Sequence, residues 1–395
     1  MKKRYRLILV AGARPNFMKI APLMRAFEAH PAIDAALVHT GQHYDERMSE
    51  LFFRELDIPE PDINLGVGSA SHAVQTARIM ERFEGVCLDM KPDMVMVVGD
   101  VNSTAACTLV ASKLDIETAH YEAGLRSNDK SMPEEINRVV TDAVCDYFFT
   151  TSRDASENLI REGKPAERIF LVGNLMIDTL LRFRGGLDDV DVRLEGLGPA
   201  GRTVDFSEAY RPGGFGVATF HRPSNVDKRS DLERLIHILC GVSREIPVIF
   251  PVHPRTYSNV EKYGLMKDVD EAPDLLPANP VGYLEFIKLV NSSKFVMTDS
   301  GGIQEETTVL GIPCLTVREN TERPITIWEG SNKLITIDEM KYEVGKILKG
   351  DGKKGRAPHL WDGKTAGRIV KAIEKIMISS ELFSNGSMIM HTRCN

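Results

Sequence analysis

Short apolar runs that alternate with longer stretches of helical periodicity constrain this chain more than any other feature of its sequence. In the first half, the apolar runs predict buried strands at residues 7–10, 36–39, 94–98, 118–121, 147–150 and 169–172. The stretches between them predict helices at residues 18–30, 71–90, 104–114 and 134–144. In the last helix, one face is shared by Ile136, Val140, Ala143 and Val144. This alternation predicts a doubly wound parallel sheet.

The alternation stops at residue 185 and starts again at residue 216. The segment between is rich in glycine and has no period, which predicts a linker and surface loop over residues 185–215. Beyond it, the pattern predicts strands at residues 216–220, 247–251, 294–298 and 313–317, and helices at residues 231–240, 282–291 and 303–310. The predicted fold class is α/β, with one Rossmann-like domain over residues 1–184 and a second over residues 216–364. Such domains commonly bind a ligand in the cleft between them, at the carboxyl ends of their strands.

Composition excludes several classes of protein. Lys and Arg number 49 against 56 Asp and Glu, and the net charge of -7 argues against a nucleic-acid binder. No apolar run is long enough for a membrane span, and the run after the basic N-terminus is too short for a signal peptide. The six cysteines form no Cys-x-x-Cys pair and have no histidine at metal-ligand spacing. We therefore expect no metal site, no disulfide framework and a reducing, cytoplasmic location.

A glycine loop, Gly12-Ala-Arg-Pro-Asn16, follows the first predicted strand, and Lys19 lies one turn into the next helix. A helix N-terminus favours anions, and Arg14 and Lys19 add positive charge there. The alternative is a plain turn with two solvated bases. A short glycine turn alone is a weak indication of a site.

A second loop, Asp299-Ser-Gly-Gly302, follows a predicted strand and opens a helix. Ser300, Gly301 and Gly302 offer a hydroxyl and closely spaced N–H groups to a phosphate. Glu306, one turn further, is placed to bind the two hydroxyls of a ribose. A capped helix would explain Asp299 or Ser300 and the glutamates, but not the paired glycines. The loop therefore predicts a site for a nucleotide diphosphate.

Acidic residues follow several strands of the first predicted domain. Asp100 and Glu122 each come directly after a strand, and Glu134 and Glu135 open a helix. The carboxyl ends of parallel strands meet at one edge, so we expect these groups in one cleft, where their repulsion separates acid and base roles. Each acid alone would more often be a helix cap or a turn ion pair. Spacing does not distinguish Glu134 from Glu135.

Histidines lie at three further strand ends: His43, His221 and His253. A histidine in such a place serves acid–base chemistry or pairs with a phosphate, although a lone histidine is more often structural. Arg222 follows His221 directly and adds a cation to that strand end.

These stretches together resemble the non-hydrolysing UDP-N-acetylglucosamine 2-epimerases. The resemblance runs from Gly12 to about Lys333 and rests on motifs that occur in one order. They include Thr40-Gly-Gln-His43, Gly99-Asp100, Glu122-Ala-Gly-Leu-Arg126, Met132-Pro-Glu-Glu-Ile-Asn-Arg138, Gly173-Asn174, His221-Arg222, Asp299-Ser-Gly-Gly-Ile-Gln-Glu-Glu306 and Thr321-Glu-Arg-Pro324.

The resemblance implies the GT-B architecture of two Rossmann-like domains with a cleft. It implies a C-terminal helix, at residues 365–380, that crosses back to the first domain, and we expect residues 381–395 to form a tail. It also implies a homodimer, a UDP-sugar substrate and no metal or nicotinamide cofactor.

The implied reaction inverts C2 of the sugar by eliminating UDP to a 2-acetamidoglucal and adding UDP back. By similarity, Asp100, Glu122 and Glu134 form the acid–base set, and His221 lies beside the diphosphate. The similarity also implies a set of residues that contact UDP. In it, phosphate contacts fall to Arg14, Ser300, Gly301 and Gly302, ribose to Glu306, uracil to Phe286, and a further nucleotide contact to Arg323. To this set we add the strand-end and helix cations Lys19, His43, Arg222 and His253.

Two departures leave the substrate open. Ala13 and Asn16 stand where threonine and glutamate are usual, and the segment from Gly66 to His72 resembles a branch with archaeal members and enzymes of diacetamido sugars. This puts activation by substrate at a second site in doubt. The alternatives are a 2-epimerase of UDP-2,3-diacetamido-2,3-dideoxyglucuronate, a hydrolysing relative that releases ManNAc and UDP, a GT-B glycosyltransferase and a non-catalytic sugar-nucleotide sensor.

Overall fold

The computed structural model describes residues 4–42, 56, 58–197, 203–272 and 274–391, and of residues 14, 15 and 380–391 only the backbone. The chain forms two compact units. The first consists of Met1–Thr179 and His359–Asn395, and the second of Leu180–Pro358. The boundary lies five residues before the predicted one at residue 184.

Seven strands form the sheet of the first unit within the described residues: β1 (Tyr5–Ala11), β2 (Ile33–His39), β3 (Ile63–Asn64), β4 (Met94–Val98), β5 (Glu117–Tyr121), β6 (Tyr147–Thr150) and β7 (Ile169–Leu171). They are parallel, in the order β3-β2-β1-β4-β5-β6-β7. Every residue of β4 is buried, as expected for a central strand covered on both faces. The order reverses between β1 and β4, and ligands bind at the carboxyl ends of strands at such a point.

Helices follow these strands: α1 (Arg14–Glu28), α2 (His72–Met90), α3 (Asn102–Lys113), α4 (Pro133–Val144), α5 (Arg153–Arg161) and α6 (Leu175–Arg184). The last five residues of α6 belong to the second unit. Local sequence explains where several begin. Ser71 caps α2 by accepting a hydrogen bond from the Val74 N–H, and proline occupies the first turn of both α1 and α4.

Helix α4 is amphipathic in the opposite sense to an ordinary surface helix. Its buried side chains are Glu135, Arg138, Thr141 and Asp142. Ile136 and Val139 are 53% and 46% exposed, and Val144 is exposed as well. The shared apolar face predicted from the periodicity exists, but it points to solvent because the buried face carries ion pairs.

The second unit holds a smaller parallel sheet. Its strands, in the described part of this unit, are β10 (Gly216–Thr219), β11 (Val248–Pro251), β12 (Leu275–Ala278), β13 (Val296–Thr298), β14 (Cys314–Val317) and β15 (Asn332–Ile335), preceded in the chain by a separate pair, β8 (Arg193–Glu195) and β9 (Thr203–Asp205). The order of the sheet, β12-β11-β10-β13-β14-β15, reverses between β10 and β13. The carboxyl ends of these two strands therefore mark the site expected in this unit.

The helices of this unit are α7 (Phe206–Ala209), α8 (Pro223–Val226), α9 (Arg229–Ser243), α10 (Pro254–Tyr263), α11 (Met266–Asp270), α12 (Tyr283–Ser292), α13 (Gly301–Leu310), α14 (Ile325–Trp328) and α15 (Met340–Leu348). The prediction of a linker over residues 185–215 is wrong. Strands β8 and β9 pair antiparallel there, and Leu194, Phe206 and Phe215 are buried in the core of the second unit. The apolar residues of this segment have no regular spacing and lie among many glycines, so the sequence pattern did not predict that they are buried.

The chain then returns to the first unit through α16 (Thr365–His391). Asp178 caps this helix by accepting hydrogen bonds from the N–H groups of Thr365 and Ala366, at 3.1 and 2.8 Å. Glu374 lies 2.9 Å from His30, just beyond α1. The helix runs past residue 380, so the predicted tail at residues 381–395 begins as helix.

Across the described residues no helix is long and apolar enough to cross a membrane. Five cysteines of this part of the chain are buried free thiols: Cys87, Cys107, Cys145, Cys240 and Cys314.

Candidate active site

Three turns at the carboxyl edge of the first sheet form the candidate site of the first unit. They follow β1, β4 and β5, and the last two carry Asp100 and Glu122. Gly99 has φ +75° and Glu122 φ +74°. A glutamate rarely adopts this left-handed backbone conformation, so the fold holds Glu122 against its preference.

The first turn is closed on itself by Asn16. Its side-chain oxygen accepts hydrogen bonds from the N–H groups of Gly12 and Ala13, at 3.1 and 2.9 Å, and its amide donates to the carbonyl of Val98. These two N–H groups therefore already have acceptors within the loop. The phosphate contact predicted for Arg14 stays a prediction, since its side chain lies outside what the structure describes.

Glu122 is buried beside Lys19. The Lys19 ammonium donates to Glu122 Oε2 at 2.5 Å, and both side chains are almost fully buried. The sequence predicts Lys19 as a phosphate contact from its position on the helix, whereas the structure pairs it with the carboxylate of Glu122.

Asp100 is paired with a buried arginine that the sequence motif contained without indicating its role. Arg138 donates from Nε and Nη2 to Asp100 Oδ2, at 3.1 and 2.7 Å. The same guanidinium donates from Nη1 to Glu135 at 2.5 Å. The position of Arg138, one helical turn after Glu134 and Glu135, is the sequence feature from which an ion pair on α4 could have been predicted.

The structure separates Glu134 from Glu135. Glu135 is buried and accepts hydrogen bonds from the N–H groups of Ser127 and Asn128, so it anchors the loop before α4. Burial opposes its ionisation, but these N–H groups and Arg138 hold the pKa of Glu135 below its usual value. Glu134 is exposed. Only Glu134 has a carboxylate available to a ligand at this place.

Strand β2 also ends with a histidine, His39, but this one is structural. It is buried against the ring of Phe17, with centroids 5.2 Å apart, and burial lowers its pKa to about 4. His43 lies outside the described residues.

In the second unit, Asp299 organises the ends of β10 and β13. Its buried carboxylate lies 3.0 Å from His221 Nδ1 and accepts hydrogen bonds from the N–H groups of His221 and Arg222 and from the Asn225 amide. Burial works against the charge, yet these donors keep the pKa of Asp299 below its usual value. The His221 side chain stays 38% exposed. The sequence indicated Asp299 only as a helix cap.

Helix α13 begins directly after this aspartate, at Ser300, Gly301 and Gly302. A Cβ on Gly301 would lie 2.7 Å from Glu322 Oε1, so the glycine admits a close approach by neighbouring side chains. Arg323 pairs with both Glu322 and Glu305, the latter at 2.9 Å. Arg323 therefore lies at the N-terminal end of α13, and its contact with the nucleotide stays a prediction.

Glu306 lies deeper on the same helix. The Tyr283 hydroxyl donates to its Oε1 at 3.1 Å. Burial raises the pKa of Glu306 to about 8; the hydrogen bond from Tyr283 opposes this shift, and the neighbouring Glu305 adds to it. Phe286, one turn along α12 from Tyr283, is half-buried and packs against the core of this unit.

His253 and Arg222 flank His221. The imidazole of His253 caps α10 by accepting from the Arg255 N–H, and its ring lies 5.4 Å from that of His221. Arg222 donates from Nε to the carbonyl of Asp299 at 2.9 Å. Among the residues that the structure describes, no group of three or more His, Cys, Asp or Glu side chains is arranged to hold a metal ion.

Comparison with known proteins identifies the family. A model of the UDP-N-acetylglucosamine 2-epimerase family matches residues 25–374. A UDP-N-acetylglucosamine 2-epimerase of Methanocaldococcus jannaschii is 38% identical over 374 residues, which cover 93% of this chain and 98% of the relative. The chain belongs to this family.

Other family members extend the comparison. The crystal structure of the M. jannaschii UDP-GlcNAc 2-epimerase with UDP-GlcNAc and UDP superposes with a TM-score of 0.80, at 36% identity, covering 94% of this chain and 99% of that one. A UDP-2,3-diacetamido-2,3-dideoxy-D-glucuronate 2-epimerase of Pseudomonas aeruginosa is 36% identical over 380 residues, 94% of this chain and all of the relative. The two Rossmann-like sheets are those of the GT-B architecture.

Proposed function

We propose that this epimerase interconverts UDP-GlcNAc and UDP-ManNAc without hydrolysis. The observation that carries the proposal is the pair of carboxylates, Asp100 and Glu122, each held beside its own buried cation at the carboxyl edge of the first sheet. Family membership gives this pair its substrate class. If Asp100 and Glu122 were only helix caps or turn ion pairs, two such carboxylates with buried cations at one sheet edge would not be required.

The proposed reaction breaks two bonds together. A carboxylate of the set Asp100, Glu122 and Glu134 takes the C2 proton while the bond between C1 and the UDP oxygen breaks, which leaves a C1=C2 double bond in 2-acetamidoglucal. UDP then adds back to C1 while a second acid of the set delivers a proton to the other face of C2. Charge builds up on the leaving diphosphate and on the sugar ring, so the site must stabilise both.

The second unit supplies most of the nucleotide contacts in this proposal, and Arg14 of the first unit adds a phosphate contact. Ser300, Gly301 and Gly302 offer the start of α13 to the diphosphate, and Arg323 adds a cation. His221, held by Asp299, protonates or pairs with the departing oxygen. Phe286 packs on uracil and Glu306 accepts from the ribose. UDP that stays bound keeps the effective concentration high for its return.

Proton NMR of UDP-GlcNAc with the enzyme in D2O tests this proposal. We expect both epimers to appear, with deuterium at C2 of each. Retention of protium at C2 would refute the elimination mechanism. Release of free ManNAc and UDP would identify a hydrolysing enzyme, and a nucleotide that binds without any conversion would identify a sensor.

A second substrate is favoured by one specific observation, the 36% identity with the diacetamido-glucuronate 2-epimerase over nearly the whole chain. That sugar carries a carboxylate which the enzyme would have to bind. Comparing kcat/KM for the two UDP-sugars decides between them. A higher value on the uronate would assign the protein to that substrate.

We further propose a homodimer formed through the apolar face of α4. Apart from Glu134 in its first turn, the charged residues of α4 lie on the buried side of the helix, so two copies related by a two-fold axis would bring few like charges together. Contact with the apolar face of α4 in a second copy of the chain would remove Ile136 and Val139 from water.

A further inference from the structure

A buried ion pair lies behind the candidate carboxylates and has no part in the proposed chemistry. His120 is on β5 and Asp142 on α4, and both are fully buried. The distance from His120 Nδ1 to Asp142 Oδ1 is 2.6 Å. On the other side of the ring, Nε2 lies 2.8 Å from the carbonyl oxygen of Gly99.

Hydrogen bonding requires a proton on both ring nitrogens. A carbonyl oxygen only accepts, so Nε2 must donate to Gly99. Asp142 also accepts from the Gly124 N–H at 2.9 Å and pairs with Arg126 at 2.8 Å, as an ionised carboxylate does. Burial alone would oppose that ionisation, but His120 and Arg126 keep the pKa of Asp142 below its usual value. Nδ1 therefore donates as well, and the ring is an imidazolium.

The surrounding charges balance this cation. Arg126 also pairs with Glu162 at 2.7 Å, so the cluster combines two cations, His120 and Arg126, with two anions, Asp142 and Glu162. A buried charge is tolerated when it is paired and hydrogen-bonded in this way.

The pair holds the two turns that carry the candidate acids. Through Nε2, His120 holds the carbonyl of Gly99, the residue before Asp100. Through Asp142, it holds the N–H of Gly124, two residues after Glu122. Both turns have left-handed backbone conformations, which persist at a residue such as Glu122 only when the surroundings enforce them.

We propose that His120, hydrogen-bonded through Nδ1 to Asp142 and through Nε2 to Gly99, is a positioning residue that fixes Asp100 and Glu122 relative to each other for epimerisation. This inference rests on the proposed function. It predicts that His120 affects turnover, which depends on the placement of those carboxylates. It leaves UDP affinity unchanged, because none of the proposed UDP contacts lies on β5 or α4, the elements that carry His120 and Asp142.

Two substitutions of His120 separate its two hydrogen bonds. In His120→Asn the amide nitrogen occupies the place of Nδ1 and keeps the bond to Asp142, and in His120→Gln it occupies the place of Nε2 and keeps the bond to Gly99. Because a small displacement of reacting groups costs about 100-fold in rate, we expect kcat to fall by about that factor in each variant. The Kd for UDP, measured by calorimetry, should stay within twofold of that of the unmodified protein.

Thr118→Val is the matched control. Thr118 is buried on the same strand, but its hydroxyl bonds to Asp146 at the opposite end of β5. The Thr118→Val variant should lose stability, as the His120 variants do, but its kcat should stay that of the unmodified protein. The proposal is overturned if kcat in both His120 variants stays within twofold of that of the unmodified protein, or if Thr118→Val loses as much turnover.

A readout without substrate keeps this test apart from that of the proposed function. In protein labelled with 15N-histidine, NMR should show that both ring nitrogens of His120 donate hydrogen bonds, and the His120→Asn spectrum assigns the signals. A ring with one proton refutes the imidazolium. If the unmodified protein exchanges no C2 proton in D2O, the proposed function fails while this measurement still reports on the ion pair.

Discussion

Glu134 and Glu135, adjacent at the start of α4, differ in burial and in hydrogen bonding. Glu135 is enclosed by N–H groups and Arg138, whereas Glu134 points to solvent. Substituting one should therefore change chemistry and substituting the other should change stability.

We expect Glu134→Gln to lower kcat by about 10²- to 10⁴-fold with an unchanged free energy of unfolding. An exposed acid–base group contributes to turnover but not to the stability of the fold. Glu135→Gln should lower the free energy of unfolding by about 2 kcal/mol, since it weakens hydrogen bonds to a buried charge. Steady-state kinetics and urea denaturation of both variants measure this. Full turnover in Glu134→Gln would exclude it from the acid–base set.

Glu306 makes stability depend on pH. Its carboxyl has a pKa of about 8 in the folded protein against 4.5 in the unfolded chain, so the folded state binds the extra proton between these values. This contribution is fully present below about pH 4.5 and is lost as the pH rises towards 8. Between pH 5 and pH 8 the ionisation of Glu306 lowers the free energy of unfolding by an amount on the order of 3 kcal/mol, and we expect Glu306→Gln to abolish this pH dependence. Urea denaturation at several pH values tests this, and parallel curves for the two proteins would contradict it.

Elements differ in how far their sequence determines them. The prediction for β4 matched residue for residue, and β6 likewise, because a continuous apolar run decides a strand covered on both faces. Strand β3 has two residues, and β15 mixes polar with apolar residues, so neither has a signal of its own. For α4 the period gave the apolar face, but which face is buried depends on the ion pairs beneath it.

The same limit applies to the candidate site. The apolar runs before Asp100, Glu122 and His221 predicted that these residues follow strands, and the structure places them there. Their partners Arg138, Lys19 and Asp299 depend on which side chains meet across elements distant in sequence, which no local pattern records.

The outward face of α4 gives a prediction about assembly. Val139→Lys places a charge in the proposed dimer contact, so sedimentation should show a monomer with the dissociation constant raised at least 100-fold. Ile160→Lys is the control, since Ile160 is 54% exposed on α5 and should leave the dimer intact. A Val139→Lys dimer of unchanged affinity would place the contact elsewhere.

At the scale of the whole molecule, α16 joins the two ends of the chain in the first unit. Ile373 is fully buried on this helix, and Ile378, on the same helix, is 58% exposed. We expect Ile373→Asp to lower the free energy of unfolding by about 3–5 kcal/mol and Ile378→Asp to change it little. Thermal denaturation of both variants compares them. Equal losses would mean that α16 is not part of the core.

The return of the chain through α16 has a consequence for synthesis on the ribosome. Residues 1–179 emerge first, but the helix that completes their unit is translated only after all of residues 180–358. The second unit can therefore finish folding while the first still exposes the apolar surface that Ile369 and Ile373 will cover. During that interval a nascent chain has an unsatisfied hydrophobic face, on which chaperones and neighbouring nascent chains compete with its own C-terminal helix.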